Sequence, residues 1–264
     1  MKIKQISYIE NDKSLTRASM YSGPLVETMP KLLVQGYTPI SISEIVEQKI
    51  KAWIRGDRKL INFWSQNYFT SGDSVMYHSD GRIKIVRNSQ TLKNVNQKSI
   101  LDNDGSLILP EGTFENTNGF EFSKKEVLKY GNKYLKKEKI LESPIWIALL
   151  GNNKELLRQY TQYVFLKSNH SYVMRIEFTT KNPKFEIETP IFLFPIKKNC
   201  AIYCYYLNLV DDCEGINNLI GLSKSQIPTS SNITLEKLIR DIKQARQNGL
   251  LTPAFEELIS KYEI

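Results

Sequence analysis

The chain has 264 residues and carries 36 Lys plus Arg against 28 Asp plus Glu, a formal net charge of +8. Hydrophobic residues make up 41% and charged residues 24%, a composition typical of a globular protein and unlike that of a disordered chain. No apolar run approaches the roughly 18–20 residues that a membrane-spanning helix needs, and the first residues lack the apolar core of a secretion signal. Three cysteines are too few for a disulfide framework. We therefore expect a cytoplasmic protein with no membrane association.

The first 70 residues are predicted to be mainly helical after an opening strand. Weak alternation of apolar residues up to Tyr21 favours an edge strand. Thr28 is predicted to cap a short helix. Ser41 and Glu44 form a capping box at the start of a stronger amphipathic helix, and another helix is expected over 58–64.

The middle of the chain changes to β-structure and then returns to helix. Residues 75–86 are predicted to form a hairpin around Asp80 and Gly81, because this dipeptide accepts the positive φ of tight turns. Residues 101–122 are predicted to be a turn-rich β segment. Three helices are then expected from residue types that cap helix N-termini: Ser123, Ser143 and Asn153.

The last third is predicted to be mainly strands followed by helices. The strand-like runs are 172–180, 184–188, 191–194 and 201–210. Residues 223–231 are polar and resemble a tether, beyond which two amphipathic helices are expected. The predicted fold class is α+β, with mixed helices, a mainly antiparallel sheet and two C-terminal amphipathic helices. Two domains are predicted. The first is a main α+β domain over 1–222, which could be divided into a helical subregion at 28–70 and a β-rich core. The second is a tether with a helical hairpin over 223–264, packed on or beside the main domain.

The positive charge is concentrated in one part of the sequence. Residues 41–100 carry ten basic and five acidic side chains, so five of the eight net charges lie there. Aromatic residues are interleaved with these charges, which is typical of surfaces that bind a phosphate backbone and stack on bases. The candidate nucleic-acid-binding residues are Lys49, Lys51, Arg55, Arg58, Lys59, Arg82, Lys84 and Arg87. Binding of nucleic acid or another polyanion is the leading hypothesis, and an ordinary solvated basic face is its alternative.

A helix-turn-helix is the most specific form that this hypothesis could take. The helices predicted over 29–35 and 42–54 are joined by residues 36–41, which is longer than the roughly three to four residues usual in that motif. The outward residues Glu44 and Glu47 would repel phosphate at the end of the second helix that normally enters the groove. The sequence therefore disfavours this motif.

A second group of lysines has helical spacing and follows an acidic segment. Lys125, Lys129, Lys133 and Lys137 recur every fourth residue and would line one side of a helix, unless Gly131 ends that helix. Residues 102–121 before them carry acidic but no basic side chains. The favoured interpretation is that the acidic segment packs near the basic helix within the same molecule.

A metal-dependent hydrolase or nuclease is the second hypothesis, because acidic residues follow an apolar strand. Metal-assisted hydrolases often place their ligands at the end of a buried strand. The candidate carboxylates are Asp211, Asp212 and Glu214, with Glu186 and Glu188. The alternative is an ordinary turn, since Asp and Gly are common turn residues.

No other chemistry has a recognisable motif. His78 and His170 have no partner at metal-ligand spacing, so no metal is expected. Cys200, Cys204 and Cys213 have bulky apolar neighbours and are expected to be structural thiols. Phosphate-binding, dinucleotide-binding and nucleophile-elbow motifs are absent, so no cofactor is expected, catalytic residues are unknown and the enzyme question stays open.

Assembly with a protein partner is the third hypothesis. The polar tether and the terminal amphipathic helices over 234–264 could present an apolar face to another protein.

Overall fold

The computed structural model describes residues 2–10, 14–168, 174–179, 182–193, 195, 200–204, 209 and 218–226. Its strands are β1 (Lys2–Glu10), β2 (Ser14–Ser22), β3 (Thr38–Pro39), β4 (Phe69–Tyr77), β5 (Ile83–Val86), β6 (Leu107–Ile108), β7 (Phe120–Phe122), β8 (Met174–Phe178), β9 (Ile187–Leu193), β10 (Cys200–Cys204) and β11 (Asn218–Gln226). Its helices are α1 (Leu25–Val34), α2 (Ile42–Arg55), α3 (Arg58–Gln66), α4 (Gln90–Lys93), α5 (Thr113–Asn116), α6 (Lys124–Tyr130), α7 (Lys137–Leu141), α8 (Pro144–Leu149) and α9 (Lys154–Ser168).

One large sheet connects all of these strands. Its main path runs β1-β2-β11-β4-β9-β10-β8, and β3, β5, β6 and β7 pair at its sides. The sheet is mixed, because β11 pairs parallel with β4 and β10 with β8, whereas β4 pairs antiparallel with β5 and β9. The α+β class is thus confirmed as helices combined with a large mixed sheet. The two predicted C-terminal helices lie outside the described residues.

The chain divides into two compact units. One consists of residues 1–8 and 16–223, and the other of residues 9–15 and 224–264. The buried apolar cores and the candidate binding surfaces lie in the first unit. The predicted domain boundary after residue 222 stays a prediction.

Two clusters of buried apolar side chains hold the first unit together. The first core contains Trp64, Trp146 and Tyr160, all at most 1% exposed. The second core contains Met29 and Phe114, both fully buried, and lies against α1, β6 and α5. Burial of apolar surface is the dominant stabilising contribution in folding, so these clusters fix the framework on which the surface residues are displayed.

The predicted capping residues begin helices, with one exception. The Ser41 hydroxyl accepts a hydrogen bond from the Glu44 amide at 3.2 Å, and the Glu44 carboxylate accepts one from the Ser41 amide at 2.8 Å. The capping functions predicted for Ser123, Ser143 and Asn153 are also confirmed. The cap predicted at Thr28 is wrong, because α1 begins at Leu25 and the Thr28 hydroxyl donates to the Pro24 carbonyl inside the helix.

The predicted hairpin around Asp80 and Gly81 is confirmed. Strands β4 and β5 pair antiparallel up to Tyr77 opposite Ile83, and Gly81 has φ +91°. Arg82 therefore lies in the connecting loop, where its carbonyl accepts a hydrogen bond from the His78 amide at 3.0 Å.

Further segments differ from the prediction. The runs at 184–188 and 191–194 are not separate strands, because β9 passes through residues 187–193 without interruption. The tether predicted from 223 begins inside β11, whose Leu219, Ile220 and Leu222 are buried. The connection between α1 and α2 contains β3, which pairs with β11 and so cannot be the turn of a helix-turn-helix. Within the described residues, no helix is both long and apolar enough to span a bilayer.

Candidate binding surfaces

Four of the eight predicted nucleic-acid-binding residues lie within nine positions of one another along the chain, at the end of α2 and the start of α3. We call Lys51, Arg55, Arg58 and Lys59 the basic corner. Arg55, Arg58 and Lys59 are exposed, and Lys51 is half-buried with its Nζ 3.9 Å from Glu47. The two helices meet at Gly56, which has φ +67° and ends α2, and at Asp57, which caps α3. A left-handed glycine followed by an N-cap makes the connection between α2 and α3 short, so the four cations lie on one short stretch of chain.

Two other predicted residues, Lys49 and Lys84, are buried. Lys49 is 1% exposed, and its Nζ lies 5.7 Å from the centre of the Phe69 ring. Lys84 is 5% exposed, and its Nζ donates to the Phe114 carbonyl and lies 3.6 Å from a Glu121 oxygen. These side chains do not lie on an outer surface with the basic corner.

Arg82 is surrounded by three carboxylates. We call Arg82 and these three carboxylates the Arg82 cluster. Its guanidinium donates to Asp80 at 2.8 Å, to Glu115 at 2.6 Å and to Glu121 at 2.8 Å. It also lies 5.2 Å from the centre of the Phe114 ring. Arg82 and Lys84 both lie against the Phe114 ring and the Glu121 carboxylate.

The Arg82 cluster changes the proton affinity of its acids. Burial raises the pKa of Asp80, but the hydrogen bonds from Arg82 and from His78 together outweigh this effect and lower the pKa to about 2. The hydrogen bond from Arg82 likewise lowers the pKa of Glu115. Both carboxylates are therefore ionised at neutral pH, and their negative charge offsets the positive charge of Arg82.

Arg87, the last predicted residue, is exposed but connects elements of the same fold. One Nη donates to the Ser43 hydroxyl at 2.6 Å in the first turn of α2. Its guanidinium also fills the space beside Gly151, which has φ +67° at the end of α8. Its position is thus set by contacts within the molecule.

A buried carboxylate, Asp73, was not predicted from the sequence. It is 1% exposed and accepts the amide hydrogens of Ile42 at 2.7 Å and Asn88 at 2.9 Å. Burial raises the pKa of Asp73 to about 6, although the two amides and the charge of Arg87 act in the opposite direction. The one sequence signal was an isolated Asp within an otherwise uncharged β-strand, and that signal does not distinguish a buried acid from an exposed one.

A cleft of about 470 Å³ lies beside the hairpin formed by β4 and β5. We call it the hairpin cleft. Its lining includes His78, Leu109, Glu111, Lys184, Phe185 and Glu186.

The floor of the hairpin cleft is a rigid polar arrangement. The Glu186 carboxylate accepts the amide hydrogens of Gly112 at 3.1 Å and Phe114 at 2.7 Å. His78 Nε2 lies 3.9 Å from Glu186, and its Nδ1 lies 2.9 Å from Asp80. Because each of these groups has partners within the fold, the floor keeps its shape without a ligand.

The rim of the hairpin cleft carries side chains of opposite charge and an exposed ring. Glu111 and Lys184 are both exposed, and within the part of the chain that the structure describes neither has a hydrogen bond or an ion pair. Phe185 is 58% exposed, so its ring presents apolar surface to the cleft. The rim thus offers an anion, a cation and an apolar surface to the same space.

Of the five carboxylates of the hydrolase hypothesis, only Glu186 and Glu188 are among the described residues. Glu186 is occupied by two backbone amides, and Glu188 is 0% exposed and accepts hydrogen bonds from Ser74 and Ser89. Asp211, Asp212 and Glu214 lie outside the described residues, as do His170 and Cys213. Among the residues that are described, no three His, Cys, Asp or Glu side chains are placed to share a metal ion. The hydrolase hypothesis stays a prediction.

The second lysine group does not form one stripe. Helix α6 ends at Tyr130, and α7 begins only at Lys137, so Gly131 separates Lys125 and Lys129 from the later lysines. Gly131 has no room for a side chain, because an added Cβ would lie 2.7 Å from the Phe178 ring. Two residues of the acidic segment 102–121, Glu115 and Glu121, do pair within the molecule. Their partner is Arg82 of the hairpin and not a lysine of the predicted helix.

Comparison with known proteins identifies the fold. No family model matches the chain, and no curated protein matches it. A solved structure described as "Accommodation of massive sequence variation in Nanoarchaeota by the C-type lectin fold" aligns with 80% of this chain and 97% of its own, with a TM-score of 0.57 and 15% sequence identity. At this identity the likeness extends to the fold alone. The chain therefore has a C-type lectin-like fold in which helices combine with a large mixed sheet.

Proposed function

We propose that this chain is a binding protein that contacts the phosphate backbone of nucleic acid, or a similar polyanion, through the basic corner. The observation that carries the proposal is the position of Lys51, Arg55, Arg58 and Lys59 within nine residues around one exposed turn. Neighbouring cations gain affinity for a polyanion because binding releases counterions from it. The proposed location is cytoplasmic, supported by the low cysteine count.

The other four predicted cations have a different role in this proposal. Lys49 and Lys84 are buried, Arg82 is neutralised by three carboxylates, and Arg87 donates to Ser43. They stabilise the scaffold and are not counted as ligand contacts. The proposed surface is therefore smaller than the one predicted from charge alone, and we expect affinity without base specificity, since phosphate contacts do not read sequence.

The fold supports a binding function in a general way. The structural neighbour is described as a C-type lectin fold that accommodates massive sequence variation. In this chain the cores are separate from the basic corner, because Arg55, Arg58 and Lys59 are exposed and contribute to neither core. A surface that can change without disturbing its core is suited to binding.

The test is a titration of fluorescently labelled single-stranded and duplex oligonucleotides at several salt concentrations. Reversing Arg55, Arg58 and Lys59 to Glu is expected to reduce the slope of log K against log salt by about 2 to 3, since each lost phosphate contact removes about 0.7 to 0.9. A matched control variant replaces the exposed Lys98, Lys125 and Lys154 by Glu. It changes the net charge by the same amount as the basic-corner variant.

The control variant distinguishes a defined site from a general effect of charge. If the basic corner is the binding surface, the control keeps the slope of the unmodified protein. Equal loss in both variants, or no binding at low salt, would contradict the proposal.

A further inference from the structure

The hairpin cleft has features of a binding site that are independent of the basic corner. Its volume of about 470 Å³ lies within the range of roughly 300–1,000 Å³ usual for small-molecule sites. Its floor is fixed, because two backbone amides hold Glu186 and two carboxylates flank His78. A preorganised floor lowers the entropic cost of binding.

The rim defines which ligand charge is complementary. Glu111 and Lys184 belong to segments that run side by side, since the Leu109 amide donates to the Glu186 carbonyl at 2.9 Å. The two side chains nevertheless form no ion pair with each other or with any described residue. A purely cationic ligand would leave Lys184 without a partner, and a purely anionic one would leave Glu111 without a partner. A ligand that carries both charges satisfies both.

The apolar part of the rim adds a third requirement. Phe185 is 58% exposed and lines the cleft together with the buried Leu109. An apolar group of a ligand placed against this ring would remove apolar surface from water, which is favourable. The ligand should therefore combine an ammonium, a carboxylate and an apolar group.

We infer that the hairpin cleft binds a zwitterion with an apolar side chain, namely a free amino acid or a short peptide with free termini. Glu111 accepts hydrogen bonds from the ammonium group, Lys184 donates to the carboxylate, and Phe185 contacts the apolar side chain. The size of the cleft suits a peptide of two or three residues. Both charged contacts are charge-assisted hydrogen bonds, which are stronger than neutral ones.

The experiment titrates the full chain with a tripeptide of phenylalanine flanked by glycines, by isothermal calorimetry. Three further forms of the peptide are used: acetylated at the N-terminus, amidated at the C-terminus, and with alanine in place of phenylalanine. Acetylation and amidation are each expected to weaken binding about tenfold, because each removes one charge-assisted contact. Replacement of phenylalanine by alanine is expected to weaken binding about tenfold as well, because less apolar surface is removed from water.

Variants assign each contact to a residue. In Glu111→Gln, acetylation of the peptide should no longer change its affinity, whereas amidation should still weaken binding. In Lys184→Gln, amidation should no longer change the affinity, whereas acetylation should still weaken binding. In Phe185→Ala, the phenylalanine and alanine peptides should bind alike. Lys125→Gln and Glu138→Gln, which alter exposed charges outside the cleft, serve as controls and should retain the behaviour of the unmodified chain.

The result that would overturn the inference is equally specific. No heat of binding at millimolar peptide, or identical effects of acetylation and amidation in all variants, excludes a zwitterion site here. Because the oligonucleotide titration uses residues of the basic corner alone, failure of one proposal leaves the other standing.

Discussion

At the scale of single residues, Asp73 shows how a buried charge can be structural. Its carboxylate accepts the first amide of α2 at Ile42 and the amide of Asn88, which itself has φ +48°. A carboxylate at a helix N-terminus satisfies an amide that has no partner within the helix. The same burial makes ionisation costly, so the contact is strong but its charge state depends on pH.

The stability contribution of Asp73 should depend on pH with a defined sign. Since its pKa is raised from 3.8 to about 6, the folded state binds this proton more tightly than the unfolded state. Stability should therefore fall as pH rises from about 4 to about 6, by up to about 3 kcal/mol for a shift of this size. Glu188, whose pKa burial also raises, acts in the same direction.

The measurement is the free energy of unfolding in urea between pH 4 and pH 7. Asp73→Asn removes the titrating group, so the difference between this variant and the unmodified protein isolates it from other acids. Asp104→Asn, at an exposed site, is the control and should leave the pH dependence unchanged. A difference between Asp73→Asn and the unmodified protein that does not vary over this range would show that Asp73 is ionised throughout.

At the scale of elements, close packing between helices and the hairpin depends on glycine at one turn. Gly151 ends α8 with φ +67°, and the Arg87 guanidinium occupies the space that a Cβ would need. Gly36, after α1, has a similar φ of +76° but no atom within 4 Å of an added Cβ. The two positions separate backbone strain from steric crowding.

Gly36→Ala is expected to cost about 1 kcal/mol, from backbone strain alone. Gly151→Ala should cost more, because Arg87 must also move and lose its hydrogen bond to Ser43. Thermal or urea unfolding of both variants measures the difference. In an Arg87→Ala background this extra cost should disappear, and its persistence would show that Arg87 is not the group displaced.

At the scale of the whole molecule, the two cores belong to one compact unit. The three tryptophans of the chain report on the first core, because Trp64 and Trp146 are members and Trp53 packs against it. The second core contains no tryptophan. Tryptophan fluorescence therefore reports the unfolding of the first core directly. It reports the unfolding of the second core only if the two cores unfold together.

Leu32→Ala in the second core and Leu149→Ala in the first should each destabilise the protein by about 2 to 5 kcal/mol, since both side chains are fully buried. Both should shift the same transition in tryptophan fluorescence and in circular dichroism. Leu128→Ala, at a 63% exposed position, should have little effect. A Leu32→Ala variant with an unchanged fluorescence transition would show that the cores unfold separately.

The sequence by itself determined features that depend on neighbours along the chain. The capping boxes at Ser41 and Ser123 and the hairpin turn at Gly81 are local, because each arises from residues within a few positions of one another. The basic corner is also local, since its cations flank a single turn. These features could be predicted because no distant contact is needed to form them.

Only the tertiary structure decided which charges remain available at the surface. The sequence counted Lys84 and Arg82 as surface cations, but Glu115 and Glu121, more than thirty residues away, surround them. It likewise gave no sign that Glu111 and Lys184 line one cleft. Pairing between distant strands sets the environment of a charge, and burial and partner carboxylates follow from that pairing, so charge counted along the chain does not predict charge presented to a ligand.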